Sequence, residues 1–179
     1  VTGNIAKSLL GFAPKRSMPE ISGITWRKWF EKQFVPTTKK SVKTIYLFID
    51  ELLNFNESAI GITTIKLLDR LGYSIKFIRH HESGRSFLSK GLLEEARSLA
   101  RKNISIYKHI ITADTPLIGV EPSAILTFRD EYPDLLRGEE KEHAKRIAAN
   151  TFMVEEFLAN ELEAGNIDVK IFGEHKQLI

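Results

Sequence analysis

Thr44-Ile45-Tyr46-Leu47-Phe48-Ile49 is an unbroken apolar run of strand length, and it turns abruptly polar at Asp50-Glu51. A strand that is apolar on both faces belongs inside a sheet covered from both sides, the usual condition of parallel sheets. The residues beyond it repeat the pattern. A loop over Asp50 to Glu57 leads to a helix from about Ser58 to Leu71, with Ile60, Thr64, Leu67, Leu68 and Leu71 at helical spacing, and Gly72 ends it. Ser74 to Ile78 reads as the next strand and Arg79 to Ser89 as a second loop. A helix runs from about Lys90 to Asn103 on Leu92, Leu93, Ala96, Leu99 and Ala100, and helical pattern resumes through Tyr107 to Ile111. Pro116 to Val120 is a third strand, and a helix over Ser123 to Leu136 is interrupted near Pro133. Residues 139–163 read as one or two amphipathic helices, and Val169 to Phe172 as a fourth, short strand.

Strands alternating with helices predict an α/β fold, a mostly parallel sheet flanked by helices, over residues 43–179. Residues 1–42 read instead as an irregular helical N-terminal extension or linker. Ile5 to Phe12 has the pattern of a short helix stopped by Pro14, and Ile24 to Phe34 that of an amphipathic one through Trp26, Trp29, Phe30 and Phe34. So much aromatic surface needs either the following core or another domain to pack on. Val1 in place of Met and the apolar Ile179 suggest cuts inside a longer polypeptide.

Composition narrows the chemistry. With 42% hydrophobic and 27% charged residues, the 179-residue chain is that of an ordinary globular domain. The absence of cysteine removes disulfides, thiolate catalysis and Cys-ligated metal within these residues. No apolar run reaches membrane-spanning length and no signal peptide opens the sequence, so the expectation is a cytoplasmic protein. Residues 1–43 carry nine Lys or Arg against two acids, whereas the remainder is net acidic. A basic arm can serve nucleic acid or anionic lipid. The reading adopted is a linker docking on an acidic neighbouring domain, with no nucleic-acid partner.

Right-handed crossovers send the loops that follow the strands to one edge of the sheet, where open α/β folds bind ligands. That edge should gather Asp50, Glu51, Asn54, His80, His81, Glu82, Ser83, Gly84, Arg85, Glu121, Ser123 and Ala124 as a candidate pocket. Acids and histidines suit zinc or ferrous iron, but adjacent His80 and His81 should point apart, as solvated loop side chains capping nearby backbone. Ser83-Gly84-Arg85 before a helix could hold an anion. No dinucleotide, P-loop, nucleophile-elbow or zincin motif is present, and no catalytic or metal-binding residue is assigned.

In this order the three loops resemble the cysteine-rich CCG domain of iron–sulfur oxidoreductases, over roughly Gly11 to Leu158. Glycolate oxidase iron–sulfur subunits, the small iron–sulfur subunit of anaerobic glycerol-3-phosphate dehydrogenase and the heterodisulfide reductase B-like proteins belong to that group. So do long fusions joining an FAD-linked oxidase, a ferredoxin-like 4Fe-4S segment and a CCG domain. The resemblance rests on Asp50-Glu51 with Asn54-Phe55-Asn56, on Glu82-Ser83-Gly84 at the place of Cys-Cys-Gly, and on Ser89 to Arg97. It also rests on Pro122-Ser123-Ala124, on Arg129-Asp130-Glu131-Tyr132 and on the linker-like Leu10 to Pro19. Where the family places thiolates, this chain has Glu51, Glu82, Ser83 and Ala124. The resemblance therefore implies a module of an FAD- and 4Fe-4S-containing 2-hydroxy-acid dehydrogenase of the D-lactate, glycolate or 2-hydroxyglutarate type. This module would be a non-catalytic scaffold holding no cofactor itself. Its partners would be the flavin, ferredoxin-like and second CCG portions of the same chain, the second beginning near Gln177-Leu178-Ile179, with the whole open to peripheral membrane association. The alternative is a pocket that has come to hold a small anion or a metal.

Overall fold

The computed structural model describes residues 7, 11, 13, 17, 19–37 and 41–168. Within them, four strands form one parallel sheet: β1 (Thr44–Phe48), β2 (Ser74–Phe77), β3 (Leu117–Gly119) and β4 (Thr151–Met153), in the order β2-β1-β3-β4. Ile45 pairs with Ile75 on one side of β1, and Leu47 with Ile118 on the other. Leu117 pairs with Thr151 at the β3–β4 edge.

The two-residue periodicity of an extended chain divides β1 between two cores. Ile45, Leu47 and Ile49 enter one apolar cluster, and Phe48 enters the other. The first cluster is covered by α1 (Trp26–Gln33), α3 (Ser58–Arg70) and α9 (Val154–Glu163). The second is covered by α5 (Leu93–Tyr107), α6 (Pro122–Arg129), α7 (Tyr132–Leu135) and α8 (Gly138–Ala148). Helices therefore lie on both faces of the sheet, as the unbroken apolar run of β1 requires.

Trp26 settles what the aromatic N-terminal segment packs on. It is fully buried in the first cluster, stacked on Phe30 with ring centroids 5.0 Å apart and edge-on to Phe77 at 5.1 Å. Gly61 of α3 makes room for it: a Cβ there would lie 2.5 Å from the Trp26 ring. Thr25 caps α1 by accepting the Lys28 N–H.

Three local expectations change. The loop after β1 contains a short helix, α2 (Glu51–Phe55), because the buried Asp50 carboxylate accepts the Leu52 and Leu53 N–H groups at 2.8 and 3.1 Å. The loop after β2 contains the four-residue α4 (Arg85–Leu88), entered through Gly84 at φ +83°, and α5 starts only at Leu93, after a second left-handed glycine at Gly91. Residues 139–163 hold two helices separated by the missed strand β4, whose three residues are too few to show a period. The expected strand at Val169–Phe172 and the start of another at Gln177–Ile179 lie outside the described residues, as does most of the expected Ile5–Phe12 helix.

Candidate functional site

The chain leaves β1 for β2 on one side and then crosses to β3 on the other, so the segments following β1 and β3 diverge. Such a reversal of strand order opens a crevice beyond the carboxyl ends of the strands. Here the crevice is a cleft of about 500 Å³. It is bounded by Asp50, Glu51, Leu52 and Phe55 from the β1 side, by Ser83, Arg85, Ser86 and Ser89 from the β2 side, and by Glu121, Ser123 and Ala124 from the β3 side. Gly119 lets this happen. A Cβ at that position would collide with the Ile125 side chain, so its absence allows α6 to pack against the end of β3.

A smaller hollow of about 300 Å³ lies on the other side of α2, between Arg27, Glu51, Asn54, Phe55, His80, His81 and Glu82. The expected single pocket is thus two hollows sharing Glu51 and Phe55. Asn54 is buried, and its Oδ1 accepts the Arg27 N–H at 3.1 Å, joining α2 to α1. Gly84 serves the backbone, as the left-handed residue that opens α4.

The Asp50 carboxyl is pushed above the ordinary carboxylate range chiefly by burial, and that of Glu51, whose side chain is exposed, is raised by partial desolvation at the cleft wall and by the neighbouring Glu82 and Asp50 carboxylates. Glu121 caps α6, its Oε2 accepting the Ala124 N–H at 2.6 Å. Arg85 is the cation of the cleft, and it faces Glu131 at 3.9 Å. With three acids against that one partnered cation, the cleft is acidic, which disfavours the anion reading. The metal reading meets a different obstacle: among the described residues no three His, Asp or Glu side chains gather as a ligand set.

His80 departs from the expected solvated loop histidine. It is buried, its ring stacks on Phe48 at 4.2 Å, and its Nε2 accepts the Ile49 N–H at 3.1 Å. That bond makes Nδ1 the protonated nitrogen, donating to the His81 carbonyl at 2.8 Å. Nε2 thus joins the end of β1 to the loop after β2, and the Nδ1 bond to the adjacent residue fixes the ring. Burial pushes its pKa down to about 4. In the unfolded chain the ring titrates near its ordinary value of about 6.5, so unfolding takes up a proton between these values. Stability is full above about pH 6.5 and should fall by about 3 kcal/mol as pH drops to about 4. Denaturant titrations across that range check this, and the loss of stability should be smaller by about that amount in His80→Gln; an equal slope in both proteins would refute it.

The residues that hold the 80–84 loop were not singled out from sequence. Asn103 of α5, fully buried, accepts the His81 N–H at 3.0 Å. Its Nδ2 donates to the Glu82 carbonyl at 2.8 Å and to the Tyr132 hydroxyl at 2.9 Å. Tyr132 in turn donates to the Ser83 carbonyl at 2.8 Å. The signal was present: Asn103 continues the buried face of Ala96 and Ala100, and Tyr132 closes the Arg129-Asp130-Glu131-Tyr132 segment. Arg129, partly exposed, bonds both oxygens of Glu156 at 3.1 and 3.0 Å, tying α6 to α9.

The donor set does not fit an iron–sulfur cluster. Ala124 has no donor atom, and Ser83 is buried with its Oγ accepting the Arg85 N–H at 3.2 Å. Glu82 opens onto the smaller hollow instead of the cleft.

No protein-family model matches the chain, and no solved structure matches it significantly. Among curated proteins, it is 25% identical to D-2-hydroxyglutarate dehydrogenase of Escherichia coli (strain K12), over 70% of this chain and 12% of that protein. It is 26% identical to lactate utilization protein A of Geobacillus thermodenitrificans (strain NG80-2), over 72% of this chain and 53% of the relative. One subunit of the anaerobic glycerol-3-phosphate dehydrogenase of Escherichia coli (strain K12) is 24% identical over 71% of this chain and 32% of its own length. The chain thus spans between about one-eighth and one-half of these relatives, and its similarity is to oxidoreductases. No helix among the described residues is long and apolar enough to cross a membrane.

Proposed function

We propose that the chain is a module of a larger FAD-linked, 4Fe-4S-containing oxidoreductase acting on a 2-hydroxy acid, and that it serves there as a cluster-free scaffold and interaction domain. The observation that carries this reading is the crevice at the strand-order reversal. The fold that forms it is intact, while Glu51, Glu82, Ser83 and Ala124 stand where the resembling domains have thiolates. Alanine offers no donor atom, and the hard oxygens of glutamate and serine are poor substitutes for the thiolates that hold such clusters. The similarity to D-2-hydroxyglutarate dehydrogenase and lactate utilization protein A supports the choice of substrate class. Flavin and clusters belong, in this reading, to other parts of the protein.

The test is electron transfer in the full-length oxidoreductase. Glu82→Ala and Ser83→Ala should leave substrate-driven reduction of its flavin and iron–sulfur centres within about twofold of wild type, a difference of less than about 0.5 kcal/mol in barrier. A loss of a hundredfold or more, in proteins that keep the wild-type melting temperature, would place a redox step in this crevice and overturn the scaffold reading.

A further inference from the structure

The rim of the cleft carries apolar surface that the fold holds in place. Leu52 and Phe55, three residues apart on the same side of α2, are 42% and 48% exposed and both border the cleft. Beside them runs the extended segment 20–22. Ser22 N–H donates to the Phe55 carbonyl at 2.7 Å, the Asn56 Nδ2 donates to the Glu20 carbonyl at 2.6 Å, and the Ser22 hydroxyl donates to the Asn56 carbonyl at 2.7 Å. Ser22 Oγ also accepts the Ser58 N–H at 3.3 Å. Four hydrogen bonds fix this segment, yet Ile21 within it is 80% exposed. An isoleucine held out from a segment bonded to the backbone of Phe55 and Asn56 contributes nothing to the core.

We propose that this face docks a protein segment carrying a lysine or arginine between large apolar side chains. The apolar side chains would cover Ile21, Leu52 and Phe55, and the cation would enter the cleft beside Glu51. Charge complementarity selects this occupant. Next to the apolar rim the cleft is lined by Glu51 and Glu121 with the buried Asp50 behind them; Arg85, its own cation, faces Glu131, and Arg27 lies beside Glu51 in the smaller hollow. A cationic side chain at Glu51 offsets the mutual repulsion of Glu51, Asp50 and Glu82, whereas an acidic one adds to it. The proposal deepens the interaction-module reading and rests on it.

The test is fluorescence anisotropy of the purified chain with a labelled peptide bearing one arginine between leucine and phenylalanine. Two comparison peptides carry glutamate for the arginine, or serine for both apolar residues. The arginine peptide should bind at least about tenfold more tightly than either, and Glu51→Gln or Phe55→Ser should each weaken it about tenfold. Both positions are exposed, so unchanged melting temperatures confirm that the variants fold. Raising salt from about 50 to about 500 mM should weaken the complex. Equal binding of the glutamate peptide, indifference to Phe55→Ser, or no binding at all would overturn the proposal. So would self-association of the chain that Phe55→Ser abolishes, since the face would then belong to a second copy. A failure here leaves the electron-transfer result for Glu82→Ala and Ser83→Ala untouched, so the two readings fail separately.

Discussion

Asn103→Ala is expected to lower stability by about 3–4 kcal/mol, a shift in melting temperature on the order of 10 °C. The substitution removes three hydrogen bonds made by one fully buried side chain, of which the bond to Tyr132 is itself buried and the two to the loop are part-buried. The His81 N–H loses its acceptor, the Glu82 carbonyl loses its donor, and the Tyr132 hydroxyl loses the amide that donates to it. Stranding buried polar groups costs far more than the net worth of the bonds themselves. Because these bonds hold the loop between the two hollows, amide exchange at residues 81–84 should accelerate beyond the global effect. Tyr132→Phe should cost about 1–2 kcal/mol, and the two changes should be non-additive because they share a bond. A loss below about 1 kcal/mol for Asn103→Ala, or additive effects, would mean that the loop is held by something else.

Trp26→Ala is expected to cost about 3–5 kcal/mol, the range for removing a fully buried large aromatic side chain. The side chain lies within the cluster formed by Ile45, Leu47, Ile65 and Leu68, although its residue number falls in the segment read from sequence as a linker. Removing residues 1–42 should therefore expose this core and yield a poorly folded product, whereas a true linker could be removed freely. Gly61→Ala approaches the same contact from the other side. Its Cβ would press on the indole, and a cost of about 1–3 kcal/mol is expected. Urea midpoints with unchanged m-values measure the two substitutions, and a lost or broadened transition marks the truncation. A Trp26→Ala loss under about 1 kcal/mol would show that α1 docks only loosely.

The parallel sheet could be read from the apolar run of β1, because burial on both faces leaves a plain mark in sequence. So could the edge that bears the cleft, since crossover geometry sends the loops of Asp50, Ser83 and Glu121 to one side. Three features could not be read. Strand β4 is three residues long, too short for any period to register. The helix at Glu51–Phe55 depends on the Asp50 side chain turning back to cap it, a choice made in three dimensions. The division into two hollows follows from where that helix then stands. His80 shows the limit most clearly. Its loop position suggested solvent, but the aromatic rings of Phe48 and Phe77 enclose it and its ring nitrogens bond the backbone. Asn103 and Tyr132 were visible as polar residues among apolar neighbours. Their joint hold on residues 81–83 required the packing of α5 against α7.

In the proposed function the module keeps the crevice at the strand-order reversal without the ligands for a cluster. Anaerobic reconstitution of this chain with iron and sulfide, followed by gel filtration, iron and sulfide analysis and visible absorption, tests it most directly. The expected result is iron at background level and no charge-transfer band. Stoichiometric iron and sulfide with a visible band, lost in Glu51→Ala or Glu82→Ala, would contradict it.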